Sequence, residues 1–177
     1  YAQKPAGLPN NYPNKPINLI VPFAAGGPTD VMARIVGERM GKELGQTFVI
    51  DNVTGAAGSI AMGKLARSAP DGYTIGIGHL GTNVVNGAIY KNLNYDLIND
   101  LEPIALLPSN PLLVVTSNQV PAKDLKELLA LAKSKPGKLT YGSAGGGSTF
   151  HMSAELFKAM AGLAIVHIPY RGGGPAL

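Results

Sequence analysis

The chain has 177 residues, no cysteine, and 15 Lys+Arg against 11 Asp+Glu, for a formal net charge of +4. The lack of cysteine excludes thiol catalysis, thiolate zinc sites, disulfide staples and a lipidated N-terminal Cys. No run approaches the roughly 18 apolar residues of a membrane-spanning helix, and the basic residues neither cluster nor interleave with aromatics as a nucleic-acid surface requires.

At roughly 150 residues per domain, the length suits one domain or one and a half. The 23 Gly and 14 Pro promise many tight turns. The opening Tyr1-Ala-Gln-Lys4 has no apolar core of a signal peptide, as expected also of an exported protein after cleavage.

Residues 1–16 hold four prolines and read as an extended lead. The apolar, β-branched run 17–23 predicts a buried strand, and the residues AAGGPTD at 24–30 break it. Val31, Met32, Ile35, Val36, Met40 and Leu44 then recur at helical spacing, which predicts a helix from Pro28 to about Leu44 stopped by Gly45. A second strand is expected over 47–51, a helix from the GAAG turn at 55–58 through Ser68, a third strand over 73–78 and a helix over 82–90. Strand–loop–helix alternation of this kind predicts an α/β fold with a mostly parallel sheet.

The character changes near residues 96–103, where a boundary is expected between a first domain (17–98) and a second, incomplete one (99–177). Strands are predicted over 102–107 and 112–116, and an amphipathic helix over 123–134 with Leu125, Leu128, Leu129 and Ala132 inward. A strand over 139–143, a glycine loop at 144–147, a helix over 149–161 carrying Met152, Leu156 and Met160 on one face, and a strand over 164–168 complete the pattern.

Two loops echo each other. The segments PFAAGGPT (22–29) and SAGGGST (143–149) both run from a strand through glycines into a helix ending on Thr. Ligands of open α/β sheets bind outside the carboxyl ends of the strands. There, helix N-termini offer unpaired N–H groups, and glycines let the backbone approach an anion. Each loop therefore reads either as a tight connection or as a cradle for a carboxylate or phosphate, with Ser143, Ser148 and Thr149 as added donors. Asp30 reads either as a helix-start carboxylate or as a group facing a ligand's ammonium or hydroxyl.

Several motifs fail on context. Gly76 to Gly81 spells G-x-G-x-x-G, but Gly76 lies inside the third strand and Asp100 precedes a strand where the ribose acceptor should end one. Gly58 to Leu65 lacks the Ser/Thr of a phosphate-binding loop. No Ser sits in a G-x-S-x-G elbow. His79, His151 and His167 form no metal-ligand spacing, so neither a metal site nor a cofactor is expected. His79 and His151 each follow a predicted loop and could donate to a ligand, while His167 reads as structural. Arg171 is the Arg beside glycines. An alternative enzymatic reading, a hydrolase or transferase, would use Ser148 or Ser143 with His151; a non-binding remnant is a further alternative.

The ordered stretches YPNKPI (12–17), VPFAAGGPTD (21–30), NVTGAAGSI (52–60), APDGYT (69–74), YGSAGGGSTFH (141–151) and VHIPYRG (166–172) together resemble the Bug family, the TctC-like substrate-binding proteins of tripartite tricarboxylate transporters. The resemblance implies a non-enzymatic, periplasmic, two-domain Venus flytrap of the type II kind. A small carboxylate would be pinched between two βα loops and delivered to a membrane permease. Carried over by motif, one pincer is Phe23, Ala24, Ala25, Gly26, Gly27, Pro28, Thr29 and Asp30. The other is Ser143, Ala144, Gly145, Gly146, Gly147, Ser148, Thr149 and His151. His79 to Thr82 and Tyr170 would line the cleft, and Asp30 would read the ammonium of an amino-acid ligand. Di- and tricarboxylates, aromatic acids such as terephthalate, and amino acids are the implied ligands. Family members continue beyond the length seen here, so the resemblance also implies a C-terminal return to the first domain that this chain lacks, with an oligomer or swapped dimer as one way to complete it.

Overall fold

In the computed structural model, residues 11–109 and 111–177 are described. The expected extended lead lies, over residues 1–10, outside them. Strand β1 (Ile17–Val21) is the best-buried element, with Ile20 and Val21 fully excluded from solvent. It sits between β2 (Phe48–Asn52) and β3 (Thr74–Gly76) in a parallel sheet of order β2-β1-β3, with Ile17 opposite Phe48 and Asn18 opposite Thr74. A central strand covered on both faces needs apolar residues on both, which explains Ile17, Leu19, Ile20 and Val21; Asn18 is the exception and is only half-buried.

Helix α1 (Pro28–Leu44) has the predicted bounds. Pro28 starts it where no N–H is needed, and Gly45 ends it at φ 68°, its amide returning to the Gly41 carbonyl. Its buried positions are Asp30, Ala33 and Gly37, while Val31 and Ile35 are exposed. Small residues let the helix lie close on Leu19, Phe48 and Ile50.

After β2, a tight turn over Ala56–Gly58 enters α2 (Ser59–Ala66), which packs Ala61 and Met62 on the other face of β1 with Tyr95. Beyond β3, a wide π-type turn (Gly81–Val85) continues into the short α3 (Asn86–Ile89), within the span predicted for one helix.

The strands expected over 102–107 and 112–116 are not formed among the described residues; those segments are irregular, with Leu106 fully exposed. Helix α4 (Leu125–Ser134) is capped by Asp124, which accepts from the Glu127 amide at 2.8 Å while the Glu127 carboxylate accepts from the Lys123 amide. Ala132 is its buried residue, and Leu125, expected inward, is exposed.

Strands β4 (Thr140–Ser143) and β5 (Val166–Pro169) pair in parallel, with Tyr141 opposite His167. They are connected by α5 (Thr149–Ala161), whose predicted bounds hold but whose Leu156 and Met160 face solvent. A short α6 (Gly173–Ala176) follows β5.

Candidate functional site

Both glycine loops leave the carboxyl ends of their strands. The first is organised by Asp30, almost wholly buried in the opening turn of α1. Its Oδ2 accepts from the Gly26 amide and from Arg34 Nε, each at 2.8 Å. Its Oδ1 accepts from the second Arg34 nitrogen at 3.1 Å and from Asn52 Nδ2 at 3.0 Å. Four donors fill the four lone-pair positions of a carboxylate. The Arg34 guanidinium is the main reason the carboxyl is held down at about 2. The expectation that Asp30 reads a ligand's ammonium finds no free oxygen in this arrangement; the side chain braces the loop.

Asn52 also donates to the Phe23 carbonyl at 2.9 Å, and the Ala24 amide donates to the Arg171 carbonyl at 3.3 Å. Ala25 and Gly26 stay exposed at the tip, while Gly27 is buried. The first intrahelical bond is made by Val31 to Gly27, so the amides of Thr29 and Asp30 open the helix ahead of it.

The second loop is tied down residue by residue. Ser143 Oγ, nearly inaccessible, accepts from the Gly145 amide at 3.1 Å and lies 2.6 Å from His167 Nε2. The Tyr170 amide donates to the Ser143 carbonyl, and Tyr170 itself is partly exposed beside Gly142. Ser148, also buried, caps α5 by accepting from the His151 amide at 3.3 Å. The Gly147 amide donates to His151 Nδ1 at 3.1 Å, and the Gly146 carbonyl accepts from Tyr90 Oη at 2.9 Å. The Gly146 amide has no partner among the described residues, and the space above its Cα is open. Ala144, Gly145 and Gly147 are buried beneath it.

His79 stands between the two loops. Its ring stacks on Phe23 with centroids 4.9 Å apart and planes 7° from parallel. Its Nδ1 accepts from the Gly81 amide at 2.8 Å and reaches Thr149 Oγ1 at 3.5 Å. Burial depresses its pKa to about 4, so the ring is neutral. Thr82, fully buried, accepts from the His79 amide, and its carbonyl takes the Tyr95 hydroxyl.

The two loops are bridged through His79, which stacks on Phe23 and reaches Thr149, and Gly81 lies against the Gly147 carbonyl; Ala25 and Gly26 stand exposed at the tip of the first loop, and Thr82 and Ser148 are buried. The hydroxyls expected as ligand donors are engaged internally: Ser143 with the loop and His167, Ser148 as a cap, Thr82 with His79. The pairing of either serine's hydroxyl with a basic His151 ring is not formed, since that ring accepts from Gly147; His167 is the partner of Ser143.

Three contributors escape the motif reading. The turn Gly55–Gly58 lies in the left-handed region throughout, with Ala56 at φ 46° and Ala57 at φ 50°. Ala57 is buried against Gly145. Asn86, fully buried, donates to the Ala57 carbonyl and to Ser59 Oγ, while its Oδ1 has no partner. Gly172 and Gly173 pack against the first loop at Ala24 and Pro28. Two consecutive left-handed alanines are a strain that clusters at binding sites, but no sequence pattern announces it. A cavity of about 610 Å³ lies between α1 and β2, and neither glycine loop lines it. No group of three or more candidate metal ligands occurs among the described residues.

Two parallel sheets, each with a glycine loop leading from a strand's carboxyl end into a helix, make an α/β fold that matches solved periplasmic binding proteins. Residues 32–177 match the family described as TctC, tripartite tricarboxylate transporter family receptor, and the chain belongs to that family. It is a family of receptors, not of enzymes. Among curated relatives, a UPF0065 protein of Bordetella pertussis is 42% identical over 168 residues, which are 95% of this chain and 52% of that protein. Protein BugT of the same organism is 37% identical over 169 residues, again 95% and 52%. The chain therefore spans about half the length of the curated relatives it matches. Rpa4515 of R. palustris, solved with adipate, superposes with a TM-score of 0.90 at 38% identity over 93% of this chain and 55% of that one. MatC from Rhodopseudomonas palustris, solved with bound malate, gives 0.86 at 38% identity over 93% and 56%. The periplasmic binding protein BugD gives 0.84 at 37% identity over 93% and 55%.

Proposed function

We propose that this chain is the ligand-gripping part of a periplasmic receptor that captures a small carboxylate between its two glycine loops and hands it to a tripartite tricarboxylate-type permease. In this reading residues 17–98 and 99–177 belong to separate lobes. The ligand's carboxylate oxygens accept from backbone amides: Thr29 and Asp30 at the start of α1, Gly146 and the first turn of α5 on the other side. Helix N-termini carry about half a positive charge, so anions are favoured there without any arginine. Phe23, His79 and Tyr170 border the gap and select the rest of the ligand.

The observation that carries this reading is the state of the Gly146 amide. The Gly145 and Gly147 amides on either side are bound to side chains, the Gly146 amide has no partner among the described residues, and the open space at its Cα leaves room for a ligand atom. The likeness to structures solved with adipate and malate supports an aliphatic dicarboxylate. An α-ammonium group has no waiting acceptor at Asp30, which argues against amino acids.

Isothermal titration of adipate, L-malate and succinate into the purified protein is expected to give micromolar binding by at least one. A folded sample that binds no carboxylate would overturn the proposal. Gly146→Asp is expected to abolish binding while leaving the melting temperature within a few degrees, because the added side chain enters free space but brings a like charge. Unchanged affinity would remove the second loop from the site.

A further inference from the structure

We infer that Tyr90 is a positioning residue that makes the second anion cradle dependent on closure of the gap. This rests on the carboxylate-receptor reading, and it assigns to Tyr90, Asn86 and His151 a role in that same site.

The peptide between Gly146 and Gly147 is held at both ends by side chains. Its carbonyl accepts from Tyr90 Oη at 2.9 Å, and its amide donates to His151 Nδ1 at 3.1 Å. The two anchors come from opposite directions. His151 belongs to α5, which the loop itself opens, whereas Tyr90 follows α3, 56 residues earlier, on the far side of the gap.

Asn86 and Ile89 press the same loop from the same short helix. A Cβ added at Gly147 would meet Asn86 Oδ1 at 2.9 Å and Ile89 Cδ1 at 3.4 Å. Residues three and four apart share a helix face, so Asn86, Ile89 and Tyr90 form one edge that docks onto Gly146 and Gly147.

Glycines lack the side-chain sterics that fix a peptide plane, and Gly147 sits at φ 94°. Orientation must therefore come from outside the loop. With both anchors in place the plane is set, and the neighbouring Gly146 amide is left without a partner among the described residues, beside open space at its Cα. Without the Tyr90 hydroxyl, the Gly146 carbonyl is free to rotate toward the gap, where its partial negative charge would oppose a carboxylate. Moving the two sides apart breaks the Tyr90 bond by geometry alone. The cradle is then fully ordered only in the closed arrangement, and ligand and closure favour each other because each stabilises the same state.

Tyr90→Phe removes the hydroxyl and keeps the ring. It is expected to weaken binding of adipate or L-malate about tenfold, mainly through faster dissociation, the ~1.4 kcal/mol that corresponds to a decade in Kd. The Gly147 amide is expected to exchange with solvent faster in the variant, read by NMR at that residue. Weakened binding together with faster Gly147 exchange, at a urea midpoint close to that of the unsubstituted protein, supports the inference. Unchanged affinity with unchanged exchange overturns it, as does an affinity loss accompanied by unchanged Gly147 exchange. If neither acid binds the unsubstituted protein, the carboxylate reading fails by itself. The exchange measurement then still decides the clamp: faster exchange upholds it, and unchanged exchange overturns it.

Discussion

His79 shows how single residues divide into those that touch a ligand and those that hold the groups that do. Its Nδ1 lone pair fixes the Gly81 amide, its ring face covers Phe23, and it reaches Thr149 at the start of α5. Those contacts require a neutral ring, and burial lowers its pKa from 6.5 to about 4. The unfolded chain protonates first as the pH falls, so the folded state loses stability between pH 6.5 and about 4 and has the full contribution above 6.5. For one proton the slope is at most ~1.4 kcal/mol per pH unit. Urea denaturation at pH 7 and pH 5 is expected to show this loss in the unsubstituted protein and a smaller loss in His79→Gln; equal losses would refute the assignment. The residue types at the site were legible from the glycine loops, but their partners were not. Asp30 at a helix start and Arg34 four residues on are visible in one dimension. Asn52, which supplies the fourth hydrogen bond, is 22 residues away and belongs to β2.

At the scale of elements, the bounds of α1 and α5 followed directly from local chemistry: Pro and Gly punctuate α1, and Ser148 caps α5. The segments 102–107 and 112–116 failed as strands for a non-local reason. Their β-branched and leucine content supplies propensity, but a strand exists only where a second backbone accepts its hydrogen bonds, and none of the described residues does so for them. The opposite failure is the turn at 55–58, where alanines adopt a conformation their side chains disfavour by about 1–2 kcal/mol each. Ala56 is exposed, so removing its methyl forfeits no packing. Ala56→Gly is therefore expected to stabilise the fold by about 0.5–1 kcal/mol, the gain of relieved strain less the added freedom of the unfolded chain. For a chain of this size that raises Tm by a few degrees in a thermal melt. A lowered Tm would mean that the left-handed backbone at Ala56 is not strained in solution.

Over the whole molecule, the parallel α/β architecture was readable because strand and helix periodicities alternate. In one dimension, the sign that links glycine loops more than a hundred residues apart is the echo between them. What periodicity did not convey is how unevenly apolar residues are covered. The core is concentrated around β1, with α1 on one face and α2 on the other. Ile104, Leu106, Leu113, Val114 and Val115, by contrast, are all largely exposed. Exposed large apolar side chains in such number are characteristic of contact sites or of aggregation. They contribute nothing to the packed core, so charging them should leave stability nearly untouched. Leu106→Lys combined with Leu113→Lys is expected to change the unfolding free energy by no more than about 0.5 kcal/mol, the usual range for surface positions. The same variant is expected to bind less of an apolar dye and to sediment with less self-association at high concentration. A large loss of stability in the double variant would show instead that these side chains are packed in solution.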